Sequence, residues 1–352
     1  MNKENHINSQ AIKIDKHLNE ILHTIEKNLP ENLINPGSWE KIKEMGNRLS
    51  HLFVPPVILF ESRFETDDNT VDVIPYISSL DKSRNIIAET PFSQNAWNGL
   101  KQICREWTTP NSILNKKLQV IQLEFDAMNQ IENLPEPSIW IGRMDFPDSY
   151  VLGEKCIEIL QDQSFLKGVK WPVKEIFEKM PASWQIVWLG MMIAREPNKV
   201  RVAINCKNNR KFWDFVDKFD FKLEKKEFLL LDRIINKTLQ EIKDIAIGIQ
   251  INIDARQELG IELNTREAGT ATPAWKQLFE IVASELEIDR KKVKDFRNWQ
   301  GSLEYLDKRL SHIKLNYRPG KKLQVKGYFG IVTNDYIQLR KQELEDTVKQ
   351  IR

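Results

Sequence analysis

The sequence predicts an α+β protein in which ten antiparallel strands close into a β-barrel, with helices on the outside. Three observations predict this fold. Segments of alternating apolar and polar residues recur as five pairs, helical segments lie between the pairs, and no linker or low-complexity segment divides the 352 residues. Antiparallel sheets of this size tend to curl, and closure into a barrel removes their two open edges.

The clearest hairpin lies at residues 245–264, IAIGIQINIDARQELGIELN. Isoleucine occupies every second position from Ile245 to Ile253, and small or polar residues fill the positions between. Such alternation gives a strand one apolar and one polar face. In a closed barrel, the isoleucines would pack on the outer helices and the polar residues would line the interior.

The other four hairpins show the same alternation, and turn-forming residues separate their strands. Their strands are predicted at 57–65 and 71–79, 119–126 and 138–145, 184–195 and 199–207, and 311–317 and 323–332.

Helical spacing of apolar residues predicts two helices before each hairpin and one after the last hairpin. These helices are predicted at 12–28 and 39–52, 93–107 and 110–117, 152–166 and 172–181, 211–219 and 226–243, 273–287 and 290–309, and 335–351. We expect residues 1–352 to form one domain, with residues 1–10 as a flexible N-terminal tail. The alternative is two or three separate α+β domains, each with its own small sheet.

The composition favours a soluble cytoplasmic protein. The net charge of +2 comes from 52 basic and 50 acidic residues, so no strong positive field indicates a nucleic acid or membrane partner. Cys104, Cys156 and Cys206 are far apart and indicate reduced core thiols. The histidines have no metal-ligand spacing, and no glycine-rich nucleotide-binding loop occurs.

This organisation resembles the ABBA prenyltransferases, whose PT barrel consists of repeated α-β-β-α units around a reaction chamber. The resemblance covers essentially the whole chain and is architectural. In size the chain resembles the compact members that prenylate cyanobactin peptides. Its LEFD and HIKLNYRPGKKLQVKGYFG segments are also similar to proteins encoded beside ribosomal-peptide modification enzymes.

The resemblance implies a cytoplasmic transferase that moves an allylic prenyl group from its diphosphate to a peptide side chain or aromatic acceptor. No tightly bound cofactor is expected. Magnesium is compatible with the reaction, but no DDxxD motif requires it. The oligomeric state stays open.

Interior strand positions supply candidates for each role. Cations and phenols would stabilise the charge that develops on the leaving diphosphate, and the candidates are Arg63, Arg201, Lys314, Lys326, Tyr76 and Tyr328. The acceptor and the allylic cation would meet a wall formed by Trp140, Trp188, Gln250, Asn252 and Glu262. A carboxylate must orient the acceptor and take its proton, with Glu124 as the first candidate and Glu61 as the second.

Two features depart from the family pattern. The nearest matches to the basic–x–basic–x–tyrosine strands are Lys314 with Asn316 and Lys326 with Tyr328, and the interior is rich in acids. A noncatalytic peptide-binding barrel, or a different peptide-tailoring enzyme, is therefore the alternative. Four or more unpaired interior cations would favour prenyl transfer, whereas cations neutralised by acids would favour peptide binding.

Overall fold

The computed structural model describes residues 15–126, 134–142, 148–162, 166, 170–195, 199–206, 211–219, 221, 223–242, 245–252, 258–265 and 273–351. For 148–150, 170–173, 252, 343–344 and 346–351 it describes the backbone alone. The predicted tail at residues 1–10 lies outside the described residues.

Helices and strands follow one another in the order that the sequence predicts, with two additions. These are a helix at Ser83–Glu89 and a short strand at Gly301–Leu303. The helices are α1 (Leu18–Ile25), α2 (Pro36–Leu49), α3 (Ser83–Glu89), α4 (Asn95–Thr108), α5 (Ile113–Lys117), α6 (Asp148–Asp162), α7 (Lys170–Lys179), α8 (Phe212–Asp217), α9 (Lys225–Glu241), α10 (Pro273–Glu285), α11 (Arg290–Asn298) and α12 (Asn334–Ile351). The strands are β1 (Val57–Arg63), β2 (Val71–Ser78), β3 (Val120–Asp126), β4 (Ser138–Gly142), β5 (Gln185–Met191), β6 (Val200–Cys206), β7 (Ile245–Asn252), β8 (Leu259–Thr265), β9 (Gly301–Leu303), β10 (Leu306–Tyr317) and β11 (Gln324–Thr333).

The strands close into a ten-stranded antiparallel barrel. Neighbours are hydrogen-bonded in the order β11, β1, β2, β3, β4, β5, β6, β7, β8, β10, and β10 pairs again with β11. The short β9 lies outside this ring, because it pairs with the start of β10 alone. The predicted fold class is confirmed.

The hydrophobic core lies between the outer face of the barrel and the helices. Ile247, Ile249 and Ile251 on β7 are buried there, as their alternation predicts. Elsewhere in the same core, Phe64, Phe279 and Phe296 pack with ring centroids 5.3 to 5.8 Å apart, joining the end of β1 to α10 and α11. Burial of each such side chain contributes about 1.5–3 kcal/mol.

The helix predicted at 290–309 is wrong in its second half. Helix α11 ends at Asn298, and β9 and the first half of β10 follow. A register shift between Leu310 and His312 interrupts the pairing of β10 with β11. The buried residues Leu306 and Leu310 precede the shift, whereas Ile313 and Leu315 follow it with the opposite parity. This bulge broke the alternation on which the strand prediction depended.

The turn between β1 and β2 is fixed by a buried lysine. Lys292 on α11 donates to the backbone carbonyls of Arg63, at 3.0 Å, and Glu65, at 2.7 Å, and also to that of Asp68. Burial lowers the pKa of Lys292 below its ordinary value. We interpret this lysine as a structural clamp.

Further expectations concern the cysteines and the helices. Cys104, Cys156 and Cys206 are buried free thiols, as predicted. Among the helices in the described ranges, none has the length and apolar character that a membrane span requires.

Candidate functional site

Strand register assigns most of the predicted site residues to the interior face of the barrel. Residues directly opposed in an antiparallel pair point to the same side of the sheet. Two groups of opposed pairs share this interior face. Around β1, β8, β10 and β11 they are Glu61–Tyr328, Arg63–Lys326, Lys326–Lys314 and Lys314–Glu262. In the strands from β2 to β7 they are Tyr76–Gln122, Gln122–Trp140 and Arg201–Asn252. The backbone of Asn252 follows this pattern, but its side chain lies outside the described part.

A cavity of about 410 Å³ occupies one half of the interior. Its wall includes the predicted residues Tyr76, Trp140, Trp188, Glu124, Gln250, Glu262 and Tyr328. Asn264 at its rim is exposed, so this half opens to solvent. The cavity thus combines aromatic rings with carboxylates and amides.

Two tryptophans of the wall are accommodated by glycines on the neighbouring strand. Trp140 lies opposite Gly190, and Gly142 lies opposite Trp188. A Cβ atom at Gly142 would lie 1.8 Å from the Trp188 ring, and one at Gly190 would lie 2.6 Å from the Trp140 ring. Both rings therefore lie flat over β4 and β5 because the facing side chains are absent.

Tyrosines and a histidine continue the aromatic wall. Tyr76 meets Trp188 edge-on with ring centroids 6.0 Å apart, and it accepts a hydrogen bond from Gln122. His312 stacks on Tyr328 with centroids 4.0 Å apart. Burial lowers the pKa of His312 below its ordinary value, although the charge of Glu262 opposes this shift, and the neutral ring is therefore favoured.

A buried charge cluster lies beneath the cavity, around Glu61. Its carboxylate accepts hydrogen bonds from the ammonium group of Lys326 and the phenol of Tyr328. Burial opposes ionisation of Glu61, but Lys326 and Lys314 outweigh it and hold the pKa of Glu61 below its ordinary value. The pKa of Tyr328 is raised by burial and by the charges of Glu61 and Glu124.

Arg195 completes the cluster from the turn after β5. Its guanidinium lies 2.6 Å from Oε1 of Glu124 and 2.8 Å from Oδ1 of Asp72. The indole of Trp140 donates to the other oxygen of Glu124 at 2.7 Å. Burial opposes ionisation of Glu124 too, but Arg195 holds its pKa below the ordinary value. Burial and the charge of Glu61 instead raise the pKa of Asp72 to about 7.

The four predicted diphosphate cations all lie on the interior face, but most are already satisfied by partners. Lys326 is paired with Glu61, Arg63 with Asp68 at 3.1 Å, and Arg201 with Glu258 at 3.5 Å. Lys314 donates instead to the neutral amide of Gln250, and burial with the charges of Lys326 and Arg201 lowers its pKa to about 8.

Sequence reasoning missed Arg195, although it is central to the cluster. The prediction placed residue 195 at the end of a strand, whereas β5 ends at Met191 and a turn directs Arg195 inward. The signal that could have identified it was the excess of acids on the interior face, which required a further cation.

Three carboxylates of the cluster have the chemistry of metal ligands. Oxygens of Glu61, Asp72 and Glu124 lie within 4.8 Å of one another. Lys326 pairs with Glu61, and Arg195 pairs with both Asp72 and Glu124, so cations already contact all three carboxylates. A divalent ion would therefore compete with both cations for the same oxygens.

Comparisons with known proteins agree on the fold. No protein-family description and no curated protein sequence matches the chain. The crystal structure of prenyltransferase PriB in its apo form is similar, with a TM-score of 0.53, 8% identity, and coverage of 91% of this chain and 97% of PriB.

Two further structures match over similar lengths. AnaPT from Neosartorya fischeri gives a TM-score of 0.51 at 10% identity, covering 84% of this chain and 88% of AnaPT. The 5-dimethylallyl tryptophan synthase from Streptomyces coelicolor, in complex with DMASPP and Trp, gives a TM-score of 0.50 at 9% identity. The match covers 91% of this chain and 95% of the synthase. At these identities the likeness shows the fold, and it confirms the resemblance to the ABBA-type prenyltransferases at that level.

Proposed function

We propose that the chain is a prenyltransferase that moves an allylic group from its diphosphate to an aromatic or peptide side chain inside the barrel. The observation that carries the proposal is the contact between an aromatic-walled cavity and a buried Glu61–Lys326–Tyr328 cluster. The fold supports it, since solved structures of this shape include PriB with product diphosphate, with a TM-score of 0.52.

The diphosphate would bind through Lys326 and Lys314, with Tyr328 as a phenol donor. Both lysines are buried, and a fixed cation in a water-poor site stabilises negative charge far better than an exposed one. Lys326 is paired with Glu61, so the diphosphate must displace the Glu61 carboxylate from the ammonium group of Lys326. Arg201 and Arg63 lie further along the same interior face and would add positive charge once released from their acids.

Displacement would prepare Glu61 for proton transfer. Lys326 and Lys314 hold the pKa of Glu61 low, because their charges favour its ionised form. A diphosphate that engages both ammonium groups offsets these charges, so the pKa of Glu61 rises and the carboxylate becomes a better base. Binding of one substrate would thereby activate one of the two carboxylates that are candidates to accept the proton of the other.

The reaction itself would proceed across the border between cluster and cavity. The allylic C–O bond breaks with its electron pair leaving on the diphosphate, and a new bond forms to the acceptor, whose proton passes to Glu61 or Glu124. Trp140, Trp188 and Tyr76 would surround the allylic cation with ring faces and exclude water.

A noncatalytic peptide-binding barrel is the second candidate, and one observation favours it. Three of the four predicted cations are neutralised by acids, and no Lys or Arg is among the described residues that line the cavity. A different peptide-tailoring reaction in the same chamber belongs to this alternative. Action in ribosomal-peptide biosynthesis, a cytoplasmic location and magnesium use stay predictions.

Calorimetric titration with geranyl and dimethylallyl thiodiphosphate, with and without Mg²⁺, tests the proposal. We expect micromolar binding to the parent protein and its loss in Lys314→Ala and Lys326→Ala. Arg233→Ala is the matched control, because Arg233 on the outer helix α9 pairs with Glu285 away from the barrel interior and should leave binding unchanged. Folded protein that gives no heat with either analogue would refute prenyl transfer and favour the second candidate.

A further inference from the structure

The cavity has an unusual charge balance for an enzyme expected to take a polyanionic substrate. Two carboxylates line it, Glu124 and Glu262, and its described lining contains no Lys or Arg. Glu124 is neutralised by Arg195 at 2.6 Å. For Glu262 the structure shows no hydrogen bond and no ion pair among the residues it describes, although the charges of Glu262 and the opposed Lys314 influence each other.

Strand register explains why Glu262 lacks a partner. Its two opposed neighbours are Lys314 on β10 and Gly248 on β7. Lys314 points past it, because its stem lies over Gly260 and its ammonium group donates to Gln250. Gly248 offers no side chain, and a Cβ atom there would lie 3.1 Å from Oε2 of Glu262.

The surroundings of Glu262 suit a cation with an apolar body. Tyr76, Trp188 and Trp140 supply ring faces in the same cavity, and such faces attract ammonium and guanidinium groups. Burial lowers the pKa of His312 and outweighs the opposing charge of Glu262, which favours the neutral ring. A partly enclosed carboxylate also interacts more strongly with a cation than an exposed one does.

We propose that this cavity binds an organic cation, an ammonium or guanidinium group on an aromatic or aliphatic body, with Glu262 as its counter-ion. The inference rests on the proposed function insofar as it names the acceptor class: a basic acceptor, such as an aromatic amine or a lysine or arginine side chain. An acceptor that carries a free carboxylate is disfavoured, since it would meet Glu262 with no described cation in the wall.

The test compares two probes that differ only in charge. Tryptamine and tryptophol share the indole and the two-carbon chain, but one ends in an ammonium group and the other in a hydroxyl. Calorimetric titration at pH 7 should show tryptamine binding at least about tenfold more tightly, a difference of ~1.4 kcal/mol. In Glu262→Gln this preference should disappear.

Glu241→Gln is the matched control, because Glu241 is an exposed acid on the outer helix α9 whose partner is Gln277. It should keep the preference for tryptamine. Equal binding of the two probes, absence of binding by both, or a preference that persists in Glu262→Gln would each overturn the inference. Thiodiphosphate binding is measured separately on the same proteins, so intact diphosphate binding without a cation preference would refute only this inference.

Discussion

At the residue scale, the interior is defined by how its buried charges pair. Glu61, Glu124 and Asp72 are all at most 5% exposed; Lys326 pairs with Glu61, and Arg195 pairs with both Glu124 and Asp72. Removing water from such groups costs several kcal/mol for each ion, which pairing offsets only with good geometry. Deleting one partner should therefore cost far more than deleting an exposed ion.

Arg195→Ala tests this directly. It would leave Glu124 and Asp72 without their shared counter-ion, so we expect the free energy of unfolding to fall by about 3–5 kcal/mol. Arg233→Ala is the control, since its pair with Glu285 is solvent-exposed on the Arg233 side and should contribute at most about 1 kcal/mol. Urea denaturation of both variants measures the difference, and similar losses would show that Arg195 stabilises the fold no more than an exposed ion pair does.

The raised pKa of Asp72 predicts a pH dependence of stability. A carboxyl that ionises at about 7 when folded, against 3.8 ordinarily, binds more protons in the folded state between these values. The protonated Asp72 carboxyl therefore favours the folded state at low pH, and this contribution to the free energy of unfolding is lost as the pH rises towards 7. Asp81, whose pKa burial also raises to about 7, adds a slope of the same sign.

Comparison with Asp72→Asn isolates the Asp72 contribution, because Asp81 is common to both proteins. The stability of the parent protein should decline more steeply than that of the variant between pH 4.5 and 7, as followed by urea midpoints. Parallel curves would show that Asp72 titrates normally.

At the element scale, strand alternation carried most of the prediction and one irregularity limited it. Alternation on β1, β7 and β11 predicts from the sequence alone that Glu61, Gln250 and Lys326 lie on the interior face, and the strand register agrees. It failed where the bulge between Leu310 and His312 reversed the parity of β10. Strand alternation could not predict which acid pairs with which cation, because the pairing depends on the register between strands that are distant in sequence.

The reciprocal glycine–tryptophan pairs of β4 and β5 make a prediction at this scale. Gly142→Ala would place a methyl group on the Trp188 ring, so we expect a loss of about 1–3 kcal/mol in the free energy of unfolding. Gly37→Ala is the matched control, since its Cβ would meet only the Asn35 side chain at 3.3 Å, and its effect should stay within about 1 kcal/mol. Chemical denaturation distinguishes the two, and an unaffected Gly142→Ala protein would contradict the packing.

At the scale of the whole molecule, closure depends on β11, which pairs with both β1 and β10. Truncation after Gly320 removes this strand and α12, so two edges open and a cooperative thermal transition should be lost. Truncation after Lys341 keeps β11 and the buried Tyr336, which packs against Val54 and Val57, and should retain the transition. Calorimetric scans of both chains test this, and cooperative melting of the shorter chain would show that closure is dispensable.

We propose that Lys326 belongs to a diphosphate site in which the protein's own Glu61 now takes the place of the diphosphate. The most direct test of this proposal is the affinity of geranyl thiodiphosphate for Glu61→Gln, measured by calorimetry beside the parent protein. We expect binding at least about tenfold tighter, or ~1.4 kcal/mol, because the negative charge of Glu61 no longer competes with the diphosphate for Lys326. Unchanged or weaker binding by the folded variant would contradict the proposal.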